Sequence, residues 1–193
     1  MPTTAHPRLE PGRVYRTRDL APWGKNAPRL AKRLEREGAL VRLRNGLFLH
    51  PRTGRFGPVP PSDDELLRRF LDDSPFVVTG PERWNALGLG TTGAFAYPLV
   101  YNRKRSGMYT LGGRGFDLRR VAFPVTPPKE WFVVDLFENA ERAGASRTDL
   151  ERSLIAALRR RAFSPTRLRE MAREFGRKRT EEHVEHAVAA VRA

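Results

Sequence analysis

The sequence predicts an α+β protein in three parts: two helices with a β-ribbon first, then a small mixed α/β module, then a helical tail. Three observations predict it. An amphipathic helical stretch near the start is followed by Asn-Gly between two apolar runs, the strongest short-range hairpin signal. Runs of strand character recur from Tyr97 to Phe123, and apolar residues at helical spacing take over from Trp131. Proline- and glycine-rich breaks, Pro51–Pro61 and Pro124–Pro128, separate the parts.

In the first part, Thr17 is expected to cap a short helical turn around Asp19–Trp23, and Gly24-Lys25 to turn the chain. Asn26 then caps a second helix that tolerates Pro28 in its first turn and runs to about Glu37, where Gly38 suits the left-handed end position. Leu30, Ala31 and Leu34 share one face of it, and Arg29, Lys32, Arg33 and Arg36 occupy the remainder. Ala39–Leu43, the turn Arg44-Asn45-Gly46 and Leu47–His50 complete a hairpin. Helix, turn, helix and β-ribbon in this order read as a winged helix-turn-helix over residues 1–58, and the stretch 51–61, unable to continue a helix or a central strand, reads as a linker.

The second domain is expected over 62–193, as a mixed module 62–125 and a helical tail 129–193. Ser62-Asp-Asp-Glu65 is a capping box leading into Leu66, Leu67, Phe70 and Leu71. Phe76–Thr79 reads as a short buried strand, Gly80-Pro81 as the start of a helix through Trp84 and Leu87, and Gly112-Gly113-Arg114-Gly115 as a turn. Tyr97–Tyr101 and Met108–Leu111 read as strands joined at a hairpin tip by Asn102–Gly107, whose Arg103-Lys104-Arg105 is a solvated turn. Phe116–Phe123 adds a third strand. In the tail, helices are expected at Trp131, from Thr148-Asp149, from Ser164-Pro165 to Gly176, and from Thr180.

Charge narrows the function. Lys and Arg number 36 against 22 acids, for a net charge of +14 and a pI near 11.2, which makes a polyanion the expected partner. The excess is local: residues 1–60 hold 13 basic and 4 acidic side chains, net +9, whereas 61–125 carry +2 and 126–193 carry +3. A helix about 10–12 Å across fits the DNA major groove. Asn26, Arg29, Lys32 and Arg33 are therefore candidates for base contacts, with Lys25 and Arg36 beside them, while Arg42, Arg44 and Asn45 of the ribbon are placed for phosphate or the adjacent minor groove. Double-stranded DNA is the expected partner, and self-association on it is compatible with the reading.

Chemistry has little support. There is no cysteine, hence no thiolate metal site or disulfide. His183 and His186 lie three apart on one helix without a marked third ligand, and His6 and His50 stand alone. A nucleophile elbow is missing, Asp117 and Asp135 lack the Glu-x-Lys partner of a metal-dependent nuclease, and the Gly112–Gly115 run lacks the Lys-Ser/Thr of a P-loop. The expectation is a binder rather than an enzyme, with no cofactor and no metal. No apolar run reaches the roughly 20 residues that span a bilayer, and the first residues lack an apolar core, so a soluble cytoplasmic protein without membrane partners is expected.

The unit Asn26-Ala-Pro-Arg-Leu-Ala-Lys-Arg-Leu-Glu-Arg-Glu-Gly-Ala-Leu40, the wing Arg44-Asn-Gly-Leu-Phe48 and the segment Gly80-Pro-Glu-Arg-Trp-Asn-Ala-Leu-Gly-Leu89 resemble the AbiEi-type antitoxins of abortive-infection toxin–antitoxin systems. The resemblance covers about residues 10–125. It implies a transcriptional autoregulator that binds inverted repeats in its own promoter and neutralises a cognate nucleotidyltransferase-type toxin. Two other readings stand beside it: a solitary winged-helix regulator with a ligand-sensing or dimerising C-terminal domain, and a nucleic-acid-processing enzyme that carries a winged helix.

Overall fold

Residues 8–91 and 93–192 are described by a computed structural model of the chain; His6 lies outside the described residues. The protein is mixed α+β, and its elements follow in the order β1 (Val14–Arg16), a 3-10 helix (Thr17–Trp23), α1 (Ala27–Arg36), β2 (Val41–Arg44), β3 (Leu47–Leu49), β4 (Arg52–Gly54), β5 (Gly57–Val59), α2 (Asp63–Phe70), β6 (Phe76–Thr79), α3 (Pro81–Asn85), β7 (Leu99–Asn102), β8 (Gly107–Leu111), β9 (Arg114–Arg120), α4 (Lys129–Glu138), α5 (Arg147–Arg159), α6 (Pro165–Phe175) and α7 (Lys178–Arg192). Among the described residues no helix is long and apolar enough to cross a membrane.

Two compact units divide the chain. The first runs to Phe76 and takes in Gly107–Phe116; the second holds Val77–Ser106 and everything from Asp117 onward. The first unit thus reaches past residue 58 and recruits a segment from much later in the chain.

In the first unit, local signals act largely as expected. Asn26 caps α1, its Oδ1 accepting the Arg29 N–H at 3.0 Å, and Gly38 takes a left-handed φ of 74° just beyond the helix. Leu30, Ala31 and Leu34 pack with Tyr15, Leu20, Leu40 and Phe48 into one core. The cap of the 3-10 helix is not Thr17: the Asp19 carboxylate accepts the backbone N–H of Arg16, 2.9 Å away, closing the turn one residue earlier. β1, β3 and β2 form an antiparallel sheet in that order, with Val14 opposite Leu49 and Val41 opposite the same residue on the other side. The register slips between Arg42 and Arg44, a bulge that sharpens the twist of the ribbon.

The stretch read as a linker is a second hairpin. β4 and β5 pair antiparallel, with Arg52 opposite Val59, Thr53 opposite Pro58 and Gly54 opposite Gly57. Both strands are edges of a two-stranded sheet, so Pro58 is spared the loss of a ladder hydrogen bond, and proline is tolerated there although a central strand would reject it. Ser62 caps α2 through its Oγ and the Glu65 N–H. The reciprocal half of the expected box is absent, because the Glu65 carboxylate instead accepts the Val14 N–H at 3.4 Å and pairs with Arg69. Gly112 and Gly113, at φ of 55° and 81°, make the tight turn from β8 into β9, which mirror-image turns require.

In the second unit, β7 has β6 and β9 as neighbours. It runs parallel to β9, with Leu99 opposite Asp117 and Asn102 opposite Arg120. Residues 102–107 are therefore not the tip of a hairpin between β7 and β8. The buried Asn102 diverts the chain: its Oδ1 accepts the N–H groups of Lys104 and Arg105 at 2.8 Å, and its Nδ2 donates to the Arg105 and Arg119 carbonyls. In Phe76–Thr79 only Thr79 is buried; Phe76 and Val77 are half-buried and Val78 is exposed. The tail helices bury their apolar stripes on one another. α4 is deeply buried, with Trp131, Val133, Val134, Leu136 and Phe137 all covered, in the same core as Leu99 and Tyr101 of β7, Leu154 of α5, Leu168 of α6 and Val184 of α7. Ser146 rather than Thr148 stands at the start of α5. Thr180 is buried inside α7, which begins two residues before it.

Candidate nucleic-acid interface

A helix advances about 100° per residue, which places Arg29, Lys32, Arg33 and Arg36 within a stripe roughly 100° wide, opposite the buried Leu30–Ala31–Leu34 face. Packing decides this arrangement: the apolar side must face the core under β3, so the cationic side faces water. Lys25, Asn26, Arg29, Lys32 and Arg36 are exposed and Arg33 is half-buried. Asn26, Arg29, Arg33 and Arg36 line one depression with Leu30, Gly24 and Trp23.

These cations differ in how far the fold commits them. Among the described residues Lys25, Arg29, Lys32 and Arg36 make no ion pair, so their charge is available to a partner. Arg33 approaches Glu37, with Nε 3.7 Å from the carboxylate. The ribbon arginines are held: Arg42 Nη2 donates to Glu35 at 2.7 Å and its guanidinium lies 5.8 Å from the centre of the Phe48 ring. Arg44 is stacked against two rings, 5.5 Å from Phe70 and 4.9 Å from Tyr109, yet it stays solvent-exposed, as does Asn45 at the turn. Such stacking fixes the direction of a guanidinium without neutralising it. Gly46 alone takes positive φ at this turn, at 76°.

The Asn26 oxygen caps α1, so a bidentate contact to adenine through that side chain would compete with the cap or share its second lone pair. The sequence reading passed over Trp23 as a wall of the depression; an aromatic residue immediately before the Gly24 turn into a cationic helix was the available signal. α1 therefore offers an electropositive surface flanked by a ribbon with an exposed, oriented arginine, which is an arrangement suited to binding a polyanion.

The second unit holds a buried polar cluster that sequence reading did not find. The Asp135 carboxylate accepts from Thr79 Oγ1 at 2.5 Å, Trp84 Nε1 at 2.8 Å and Asn139 Nδ2 at 3.0 Å, and Asn139 Nδ2 also donates to the Tyr101 hydroxyl. Burial pushes the Asp135 carboxyl above its ordinary range, against the pull of Thr79, Tyr101 and Trp84, and burial followed by the Asp135 charge pushes the Tyr101 hydroxyl up. β6, α3, β7 and α4 each contribute one or more members, so the cluster fixes how these four elements meet. The adjoining cavity, reached past Arg119, Glu138 and Arg177, measures about 200 Å³, below the roughly 300–1,000 Å³ of ordinary ligand pockets. His183 pairs through Nδ1 with Glu151 at 2.5 Å, joining α7 to α5, and among the described residues no group of three or more His, Asp or Glu side chains is placed to hold a metal ion.

No protein-family model matches this chain, and neither does any curated protein. Among solved structures, the fold is similar to the crystal structure of the RV2827C protein from Mycobacterium tuberculosis, with a TM-score of 0.53 at 15% identity, covering 93% of this chain and 72% of that one. At that identity the likeness concerns the fold alone.

Proposed function

We propose that the protein is a DNA-binding transcriptional regulator whose first unit acts as a winged helix-turn-helix, with α1 as the recognition helix and the β2–β3 ribbon as the wing. One observation carries the reading: the cationic stripe of α1 is turned to solvent, and Lys25, Arg29, Lys32 and Arg36 have no ion-pair partner among the described residues. Base-edge contacts then fall to Arg29 and Lys32, and phosphate contacts to Arg36 and the ribbon's Arg44. The resemblance of Asn26–Leu40, Arg44–Phe48 and Gly80–Leu89 to AbiEi-type antitoxins extends the proposal to autoregulation of its own operon and neutralisation of a nucleotidyltransferase-type toxin.

Two experiments test the two levels. Purified protein titrated against duplexes from the DNA upstream of its own gene should bind one region in preference to scrambled duplex, with log affinity falling steeply against log salt. Equal, weak binding to all duplexes would refute specific recognition. Co-expression with the product of the adjacent gene should rescue growth that the adjacent gene alone arrests; an adjacent product without toxicity would remove the antitoxin role and leave the regulator.

A further inference from the structure

The turn joining β4 to β5 holds a phenylalanine where the fold has no use for one. Phe56 is 97% exposed, although phenylalanine is among the residue types most often buried. The hairpin closes without it, through the register Arg52–Val59 to Gly54–Gly57 and the positive φ of Gly57. What surrounds the ring is cationic. Arg55 lies over it at 5.7 Å, Arg52 stands in the strand leading to it, and residues 51–60 contain no acidic side chain. A protein-docking knob ordinarily sits in an apolar patch, whereas an aromatic tip covered by Arg55, on a hairpin without acidic side chains, is complementary to stacked bases lined by phosphates.

The base of this hairpin is tied to the segment that follows α1. His50, just before it, hydrogen-bonds through Nδ1 with the Ala39 carbonyl at 2.6 Å, and its main chain pairs with Gly12 and Arg13 at 2.8 and 3.0 Å. At about 3.3 Å per residue the four steps from Pro51 to the turn that holds Phe56 reach roughly 13 Å from that base, more than the ~7.5 Å depth of a minor groove.

We propose that Phe56 is a wedge that enters the DNA minor groove beside the stretch contacted by α1 and partly unstacks one base step, with Arg55 meeting a flanking phosphate. The inference rests on the DNA-binding reading and adds to it a second contact that reads deformability rather than base edges. Pyrimidine–purine steps, the easiest to unstack, are the expected site.

Short duplexes tiled across the DNA upstream of the protein's own gene, each with a single 2-aminopurine, test it by fluorescence and affinity together. Wild-type protein should brighten 2-aminopurine at one step beside the α1 contact. Phe56→Ala, with an unchanged circular dichroism spectrum, should abolish the brightening and weaken binding about tenfold, the order expected for losing one aromatic–base stack, while Phe56→Leu, still an apolar wedge, should keep most of both. If Phe56→Ala binds and brightens like wild type, the wedge is refuted and recognition by α1 stands. If wild type binds none of the duplexes, the DNA-binding reading fails and the wedge with it. If Phe56→Ala spares DNA binding but abolishes self-association in sedimentation, the tip is a protein contact and the proposal is overturned.

Discussion

Replacing Arg29 and Lys32 together by alanine tests the proposed role of α1 in DNA recognition. Both side chains are exposed and neither is in an ion pair among the described residues, so their removal strands no intramolecular partner. Alanine is also the strongest helix former, and the apolar face of Leu30, Ala31 and Leu34 is untouched. The fold should therefore persist, and any loss belongs to the complex. Each good base contact discriminates by about 1–3 kcal/mol, so two amount to about 2–6 kcal/mol, roughly 30-fold to 10⁴-fold in affinity for the preferred duplex. Fluorescence anisotropy at fixed salt, on preferred and scrambled duplexes in parallel, measures this as a fall in the ratio of the two affinities. A double variant that melts like wild type and keeps that ratio would refute α1 as the reading element. Arg33 is a poorer probe, because it is half-buried and beside Glu37, and its removal mixes stability with binding.

Three other substitutions follow from particular contacts. Arg44→Ala should weaken preferred and scrambled duplexes alike, as loss of a phosphate contact does, and cost about 0.5–1 kcal/mol of stability through its stacking on Phe70 and Tyr109; a loss confined to the preferred duplex would make the β2–β3 ribbon a base reader. Asn26→Ala should lower stability by about 1 kcal/mol through loss of the α1 cap, and Asn26→Asp should restore it, as measured by urea melts. Asp135→Leu should cost about 2–4 kcal/mol by leaving Thr79, Trp84 and Asn139 with unmatched donors. The pH course has a definite sign. A carboxyl raised above its ordinary 3.8 holds its proton more tightly when folded, so its contribution is complete below that value and is lost as pH rises through the folded one. Stability measured from pH 3.8 upward should therefore show a decline that Asp135→Asn removes.

Much of the site was legible because short-range rules govern it. Asn26, Gly38 and the 3.6-residue stripe of α1 report on neighbouring backbone, as does the Asn45-Gly46 turn, and all of these stand where local reading placed them. Local reading stopped where partners are distant in sequence. Pro51–Pro61 reads as punctuation until each strand of the hairpin is known to be an edge. Tyr97–Tyr101 and Met108–Leu111 look like consecutive strands of a hairpin, yet β7 pairs in parallel with β9, and no periodicity announces a parallel neighbour. The restraint on Arg44 depends on Phe70 and Tyr109, which are far along the chain, and the Asp135 cluster gathers residues 79, 84, 101, 135 and 139 from four elements. Charge alone marked Arg42 as available, whereas the fold already spends part of it on Glu35.

The chain leaves the first unit after Phe76, re-enters it at Gly107 and leaves again after Phe116. A gene cut between Phe76 and Gly107 strips Gly107–Phe116 from the first unit, and one after Phe116 carries Val77–Ser106 along, so no single truncation releases the first unit alone. A single crossover therefore moves the first unit only together with part of the second.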